Sequence, residues 1–292
     1  MKIALIGKML ADDGYFYVQL LVSRLEAYDF QITIHQSFYE IIRKKVQFMH
    51  MPEFFTDETL IQSECNLLLT VGGDGTLLDT ITLVRDSNIP ILGVNLGRLG
   101  FLASVNKEHI DYALQSIKQN DFCLEERALL QIETPGNHFG ELNFALNDIT
   151  VYKKDPNSML KVNVSVNGEF LNTYWGDGLI IATPTGSTAY SLSCGGPIMT
   201  PDSGNFILTP VAPHTLTVRP LVIPDSSVLK IYTELRSVEY LVSLDSRAHA
   251  VEAKTELTLR KAPFSIQLVR MNNHHFFNTI REKLMWGIDA RK

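Results

Sequence analysis

The sequence predicts two domains of different class: a doubly wound α/β domain, then a mostly β domain, with a helical pattern at the C-terminal end. Three observations carry this. Apolar runs of strand and helix type alternate up to about residue 125, two-residue alternation then takes over, and helical spacing comes back after His274. At 292 residues the chain holds about two domains of ordinary size.

Taken in order, Ile3 to Ile6 is a short apolar strand, and Val18, Leu21, Val22 and Leu25 then recur at helical spacing. Leu67-Leu68-Leu69-Thr70-Val71 is an unbroken run of the kind buried on both faces of a parallel sheet, and Ile91-Leu92-Gly93-Val94 is another. Ile110, Ala113, Leu114 and Ile117 mark one face of a further helix. Such βα alternation places sites at the carboxyl ends of the strands. Beyond Glu125, Val162, Val164 and Val166 alternate with polar residues, and Asn167-Gly168 predicts a hairpin. Val228 to Thr233, Tyr240 to Leu244, Leu257 to Leu259 and Ile266 to Val269 are strand-like. Phe276, Phe277, Ile280 and Leu284 restore a helical pattern, His274-His275 is expected in solvent before it, and Trp175 and Trp286 read as packing residues.

Composition narrows the function. Apolar residues make up 45% and charged residues 20%, ordinary values for a globular protein. A net charge of −6 argues against a nucleic-acid binder, while leaving room for a local basic cleft for phosphates. Cys65, Cys123 and Cys194 are scattered without CxxC spacing, which suits a reducing compartment and argues against metal ligation. The apolar run after Met1 is too short for a secretory signal, and no stretch approaches the roughly 20 apolar residues that span a bilayer. A cytoplasmic protein without nucleic-acid or membrane partners is expected.

The chemistry is concentrated in two clusters. Residues 67–83 read as strand, a Gly72-Gly73-Asp74-Gly75-Thr76 turn, and a helix beginning near Leu77. Glycines admit a phosphate without a Cβ in the way, and the following helix N-terminus offers free N–H groups. A carboxylate is a poor phosphate ligand, so Asp74 needs another task. It either accepts a proton from an attacking hydroxyl, holds a divalent metal on the phosphates, or closes an Asx-turn that caps the helix. Gly72-Gly73 and the buried strand before them favour a chemical role. Neither a Walker A loop nor Gly-x-Gly-x-x-Gly is present. Gly93 to Gly100 forms a second flexible loop that either lines the same cleft or merely connects elements.

In the second cluster, Leu179 to Ala182 is a buried strand, Pro184 and Gly186 break it, and Ser187 to Ser193 start a helix. Thr183, Thr185, Ser187 and Thr188 crowd hydroxyls at that junction. They either bind an adenine edge or ribose, with Tyr190 stacking on a ring, or close a Ser/Thr-rich turn with local bonds.

Gly72 to Thr76, Asn147-Asp148 and Thr183-Pro184-Thr185-Gly186-Ser187-Thr188-Ala189-Tyr190, in that order, resemble the motifs of NAD kinases, as do Pro213-His214-Thr215-Leu216 and Arg219-Pro220. The likeness runs from about Leu67 through Arg247. It implies transfer of the ATP γ-phosphoryl to the 2′-hydroxyl of the adenosine ribose of NAD, giving NADP. It makes Asp74 the candidate general base and puts Gly73, Gly75 and Thr76 near the donor phosphates. Asn147, Asp148 and Asp177 would bind NAD, and Thr185, Thr188, Ala189, Tyr190 and Ser193 would form the adenine and ribose pocket. Further candidates are Arg98, Lys153, His214, Asp245 and Arg247; Arg247 reads either as a phosphate partner or, preferably, as a surface hairpin charge. Two positions depart from the family pattern: Asp148 stands where Glu is common, and Asp245-Ser246-Arg247 where Asp-Gly-Gln is.

The resemblance also implies a Rossmann-like N-terminal domain, an all-β C-terminal domain and a final segment that returns to the first. The boundaries expected are 1–125 with 268–292, and 126–267. An active site between domains, a divalent metal (Mg²⁺) arriving with ATP, polyphosphate as an alternative donor, and a homodimer or homotetramer complete the expectation. Lipid kinases of the diacylglycerol or sphingosine type share the glycine turn and are the nearest rival, and a non-catalytic NAD sensor is the alternative from another class.

Overall fold

The computed structural model describes residues 1–97, 100–234, 238–272 and 275–286. The chain divides into two units, Met1–Glu126 with Ile266–Lys292, and Arg127–Ser265. It passes between them within two long strands, Phe122–Glu133 and Leu257–Met271.

The first unit is built on a parallel sheet. Its strands run, side by side, Glu53–Phe55, Gln31–His35, Lys2–Gly7, Leu67–Val71 and Ile91–Asn95, and Leu268 of the last strand pairs with Ile91. All five residues of Leu67–Val71 and of Ile91–Asn95 are buried, as expected for central parallel strands. The helices Gly14–Ala27 and Ile110–Lys118 bury Val18, Leu21, Val22, Leu25, Ala113, Leu114 and Ile117 in the same cluster as Ile3, Leu5 and Leu69. From Lys2–Gly7 the chain steps outward through two strands, then comes back to place Leu67–Val71 on the other flank, with Gly7 opposite Val71. That reversal of direction is a switch point, where open α/β sheets leave a crevice at the carboxyl ends of the strands. Gly72 follows directly.

The second unit is mostly β. One antiparallel sheet runs Leu221–Pro224, Asn205–Val211, Gly178–Ala182, Asp148–Lys153, Glu239–Leu244 and Arg247–Glu252. The other joins Glu169–Gly176, Leu160–Val166, Leu229–Glu234 and the start of Leu257–Met271. Val162, Val164, Ile149, Val151, Tyr240 and Val242 meet in one buried cluster shared by both sheets. Asn167 and Gly168 turn the hairpin with φ of 52° and 85°, the left-handed pair that a two-residue connection demands.

Several local expectations are corrected. The helix after the glycine turn starts at Asp74, not near Leu77, because Gly73 already serves as its N-cap and an acidic residue is favoured in the first turn. Ser187 to Ser193 is not a continuous helix start: a 3₁₀ turn spans Thr185–Thr188 and a single helical turn Tyr190–Ser193. Trp175 and Trp286 are not packed inside; they are 41% and 56% exposed, and the Trp175 ring instead lies beneath the Lys161 ammonium at 4.3 Å. His275 is exposed before the helix Phe276–Leu284, while His274 lies outside the described residues.

Candidate functional site

In the first unit, Asp74 opens the helix Asp74–Val84 directly after the Leu67–Val71 strand. No atom outside the immediate chain lies within 4 Å of a Cβ placed at Gly73 or Gly75, so the backbone there is open to a bulky anion. The Thr76 amide bonds back to Gly73 O at 3.0 Å, and the amides ahead of it, at Asp74 and Gly75, have no intrahelical acceptor, which leaves N–H groups for it. The Asp74 carboxylate faces a different task. Its Oδ2 accepts the Phe101 amide at 2.7 Å, and its Oδ1 accepts those of Leu102 and Ala103 at 3.2 and 3.1 Å. A Cβ at Gly100 would stand 1.7 Å from Oδ1, so the contact exists only because residue 100 is glycine. The second glycine loop therefore does line this turn. An Asx-turn does not describe Asp74, since Gly73 is the N-cap and the helix cap has no side-chain hydrogen bond. Arg98 lies outside the described residues.

In the second unit, Asn147 and Asp148 lead into the strand Asp148–Lys153. Gly186 presses on them: a Cβ there would lie 1.9 Å from the Asn147 carbonyl oxygen. Thr183 bonds the same segment twice, its amide donating to Asn147 O at 2.9 Å and its hydroxyl to Leu146 O at 2.5 Å. The Ser187 hydroxyl accepts from Met199 N at 3.0 Å and the Thr188 hydroxyl donates to Thr185 O at 3.2 Å. Thr183, Ser187 and Thr188 thus hold the turn locally, and Thr185 receives the buried Arg127 guanidinium at 3.4 Å. Ala189, Tyr190 and Ser193 stay accessible, with Tyr190 48% exposed. Tyr190, Thr150, Tyr152, Ser243, Asp245 and Ser246 line a cavity of about 300 Å³.

Electrostatics single out Asp148. It is 6% exposed, and burial pushes its carboxyl up to about 6; the nearby Asp245 charge adds to this, and the Thr150 hydroxyl, donating at 2.8 Å, opposes it. Burial likewise raises the Asp245 carboxyl, against the amides of Leu146, Asn147 and Asp148 and the Arg247 charge. Burial raises the Tyr190 phenol, with Cys194, Asp148 and Asp177 contributing.

Other candidates fall elsewhere. Asp177 is ion-paired at 2.7 Å with Lys153, whose ammonium also donates to Pro156 O. His214 is exposed and contributes its amide to Trp175 O. Arg247 corrects the reading as a surface charge: its guanidinium donates to the carbonyls of Leu142 and Phe144 and sits 5.7 Å from the Phe144 ring. Arg127 escaped the sequence reading as a lone cation in a strand, and Cys194, read there only as a scattered thiol, gave no sign of its place beside Tyr190.

An open glycine backbone at a switch point and a hydroxyl-lined cavity beside an exposed aromatic ring suit a nucleotide phosphotransferase, and the chain is of that class. Residues 3–122 match the family described as the ATP-NAD kinase N-terminal domain, and residues 146–271 the ATP-NAD kinase C-terminal domain. An NAD kinase of Cytophaga hutchinsonii is 43% identical over 294 residues, and one of Bacteroides fragilis 40% over 291, each pair covered to 100% of both chains. The chain belongs to the NAD kinase family. Its fold is shared with a yeast NADH kinase complexed with NADH (TM-score 0.88, 23% identity, 100% of this chain and 89% of that one). An Archaeoglobus fulgidus NAD kinase in complex with ATP also shares it (TM-score 0.76, 24% identity, 98% and 99%). Among the described residues, no helix is long and apolar enough to cross a membrane.

Proposed function

We propose that the chain transfers the γ-phosphoryl of ATP to the 2′-hydroxyl of the adenosine ribose of NAD, with Asp74 as general base. The observation that carries this is the setting of Asp74 at the head of a helix beside an open glycine backbone. Three amides occupy part of its acceptor capacity, and a carboxylate has about four lone-pair sites. Among the described residues Oδ2 receives only the Phe101 amide, so it is the oxygen with room for the ribose hydroxyl. A ribose hydroxyl is a weak nucleophile, so positioning and proton removal are the two contributions required.

The acceptor reading rests on the second unit. The Asn147 carboxamide has no hydrogen-bond partner among the described residues and Asn147 is half-buried rather than enclosed, so it is available to a ribose or adenine edge. Tyr190 offers a ring face beside the 300 Å³ cavity, which suits an adenine better than an acyl chain. Gly73, Gly75 and Thr76 take the donor phosphates; Asp177, Thr185, Thr188, Ala189 and Ser193 complete the NAD contacts. A divalent cation, Mg²⁺, is assigned to the triphosphate. Among the described residues no three potential metal ligands cluster, and Asp74 would take at most one position on the ion. That donor set fits an ion arriving with ATP, where it neutralises phosphate charge. The assembly is proposed as a homodimer or homotetramer in the cytoplasm.

A radiolabelled-phosphate assay offering NAD and diacylglycerol side by side tests the reading. Label in NADP supports it. Label in the lipid, or tight NAD binding without NADP under ATP and polyphosphate alike, contradicts it.

A further inference from the structure

We infer that Asp245 is a positioning residue for the acceptor site: its carboxylate sets the backbone of Leu146, Asn147 and Asp148, and through it the presentation of Asn147 and Asp148 to NAD. The inference rests on the proposal that this pair binds NAD.

Four hydrogen bonds join Asp245 to that segment. Oδ2 accepts the Leu146 amide at 2.9 Å, and Oδ1 accepts those of Asn147 and Asp148 at 2.8 and 3.2 Å. The Asp245 amide donates to Asp148 O at 3.0 Å. Three consecutive N–H groups converging on one carboxylate fix the dihedral angles between them, and a charged acceptor makes each bond stronger than its neutral equivalent.

The hairpin brings that carboxylate to the segment. It occupies the two-residue connection between Glu239–Leu244 and Arg247–Glu252, with Leu244 paired to Arg247, and its φ is 51°. Glycine would hold that conformation without strain. Aspartate also tolerates it, and here the carboxylate makes three bonds that a glycine could not, to a segment nearly a hundred residues earlier in the chain. Arg247, leaving the same turn, adds its bonds to the carbonyls of Leu142 and Phe144. One hairpin tip thus suspends residues 142–148 from two sides. Thr183 and Gly186 hold the opposite side of Asn147, and its carboxamide is the group left without a partner among the described residues.

The test uses the full-length enzyme with Asp245→Asn and Asp245→Gly. KM for NAD, KM for ATP and kcat are measured beside NAD affinity by equilibrium dialysis and the thermal midpoint. Asn keeps the volume but turns an NH₂ toward amide donors; Gly removes the clasp while relieving the positive φ, so its fold should be retained. Both variants should raise KM and Kd for NAD by about tenfold or more, the scale of one buried charged bond lost, with KM for ATP and kcat within about threefold. An Asp245→Gly enzyme with unchanged NAD affinity overturns the inference, as do NAD and ATP constants that rise together with a collapsed thermal midpoint. A wild type that makes no NADP overturns the substrate reading and this inference with it. A wild type that makes NADP, beside variants of normal NAD affinity, overturns this inference alone.

Discussion

Replacing Asp148 by Asn should stabilise the protein while damaging its acceptor site, and the gain should depend on pH. Asp148 is 6% exposed, and its carboxyl titrates at about 6 in the folded chain against an ordinary value of 3.8. Burial is the main cause, the Asp245 charge adds to it, and Thr150 opposes it. The folded state therefore binds the proton more tightly than the unfolded chain. Below about pH 3 the carboxyl is neutral in both states and costs nothing; the penalty grows as pH rises through 3.8 toward about 6, and it is constant well above that. A difference of that size corresponds to ~3 kcal/mol, fully expressed at pH 8 and about half expressed at pH 5. The replacing carboxamide would accept the Thr150 hydroxyl as the Asp148 carboxylate does, and it carries no charge. Thermal melts at constant ionic strength should therefore place Asp148→Asn above the wild type by roughly 6–12 °C at pH 8. The gap should narrow by about half at pH 5. Asp245, Tyr190 and Cys194 also face Asp148 and stay unchanged in the comparison. A gap that is the same at both pH values, or a variant less stable than the wild type at pH 8, would refute the reasoning. A buried, destabilising carboxylate with one hydroxyl partner is what a binding group tuned to its ligand rather than to the fold looks like.

Two further substitutions separate the parts of the first site. Gly100→Ala puts a Cβ 1.7 Å from the Asp74 carboxylate; steady-state assays should show turnover falling by about 10²-fold while NAD affinity, measured by dialysis, stays within a few-fold. Gly75→Ala meets nothing within 4 Å and replaces glycine in a helix, so its thermal midpoint should hold or rise by the equivalent of ~0.5–1 kcal/mol. If phosphates need that space, KM for ATP should nevertheless climb, and an unchanged KM would remove Gly75 from the donor site.

Where local sequence carried the physics, it was readable. The five buried residues of Leu67–Val71 and the 52° and 85° turn at Asn167-Gly168 followed from an unbroken apolar run and a left-handed dipeptide. Asp74 could be picked out as a charge needing a task, yet Asp-Gly also signals a turn, and this hid that the helix begins on Asp74 itself. The hydroxyls of residues 183–188 were ambiguous because a Ser/Thr run serves a ligand or its own turn equally well. Three of the four bond within the turn and its surroundings, and the fourth meets Arg127. The clasp of Asp245 on residues 146–148 has no sequence trace, since the partners are nearly a hundred residues apart and meet only through strand pairing. Arg247 misled for the same reason: a cation directly after a turn reads as solvated until the carbonyls it caps are in view.

The central claim, NAD phosphorylation with Asp74 as base, is tested most directly by NADP formation from NAD and Mg·ATP with wild type beside Asp74→Asn. The wild type should make NADP. The variant should still bind NAD and lose at least about 10²-fold in turnover, the lower end of what a general base contributes. No NADP from the wild type, or near-normal turnover in Asp74→Asn, would contradict the account.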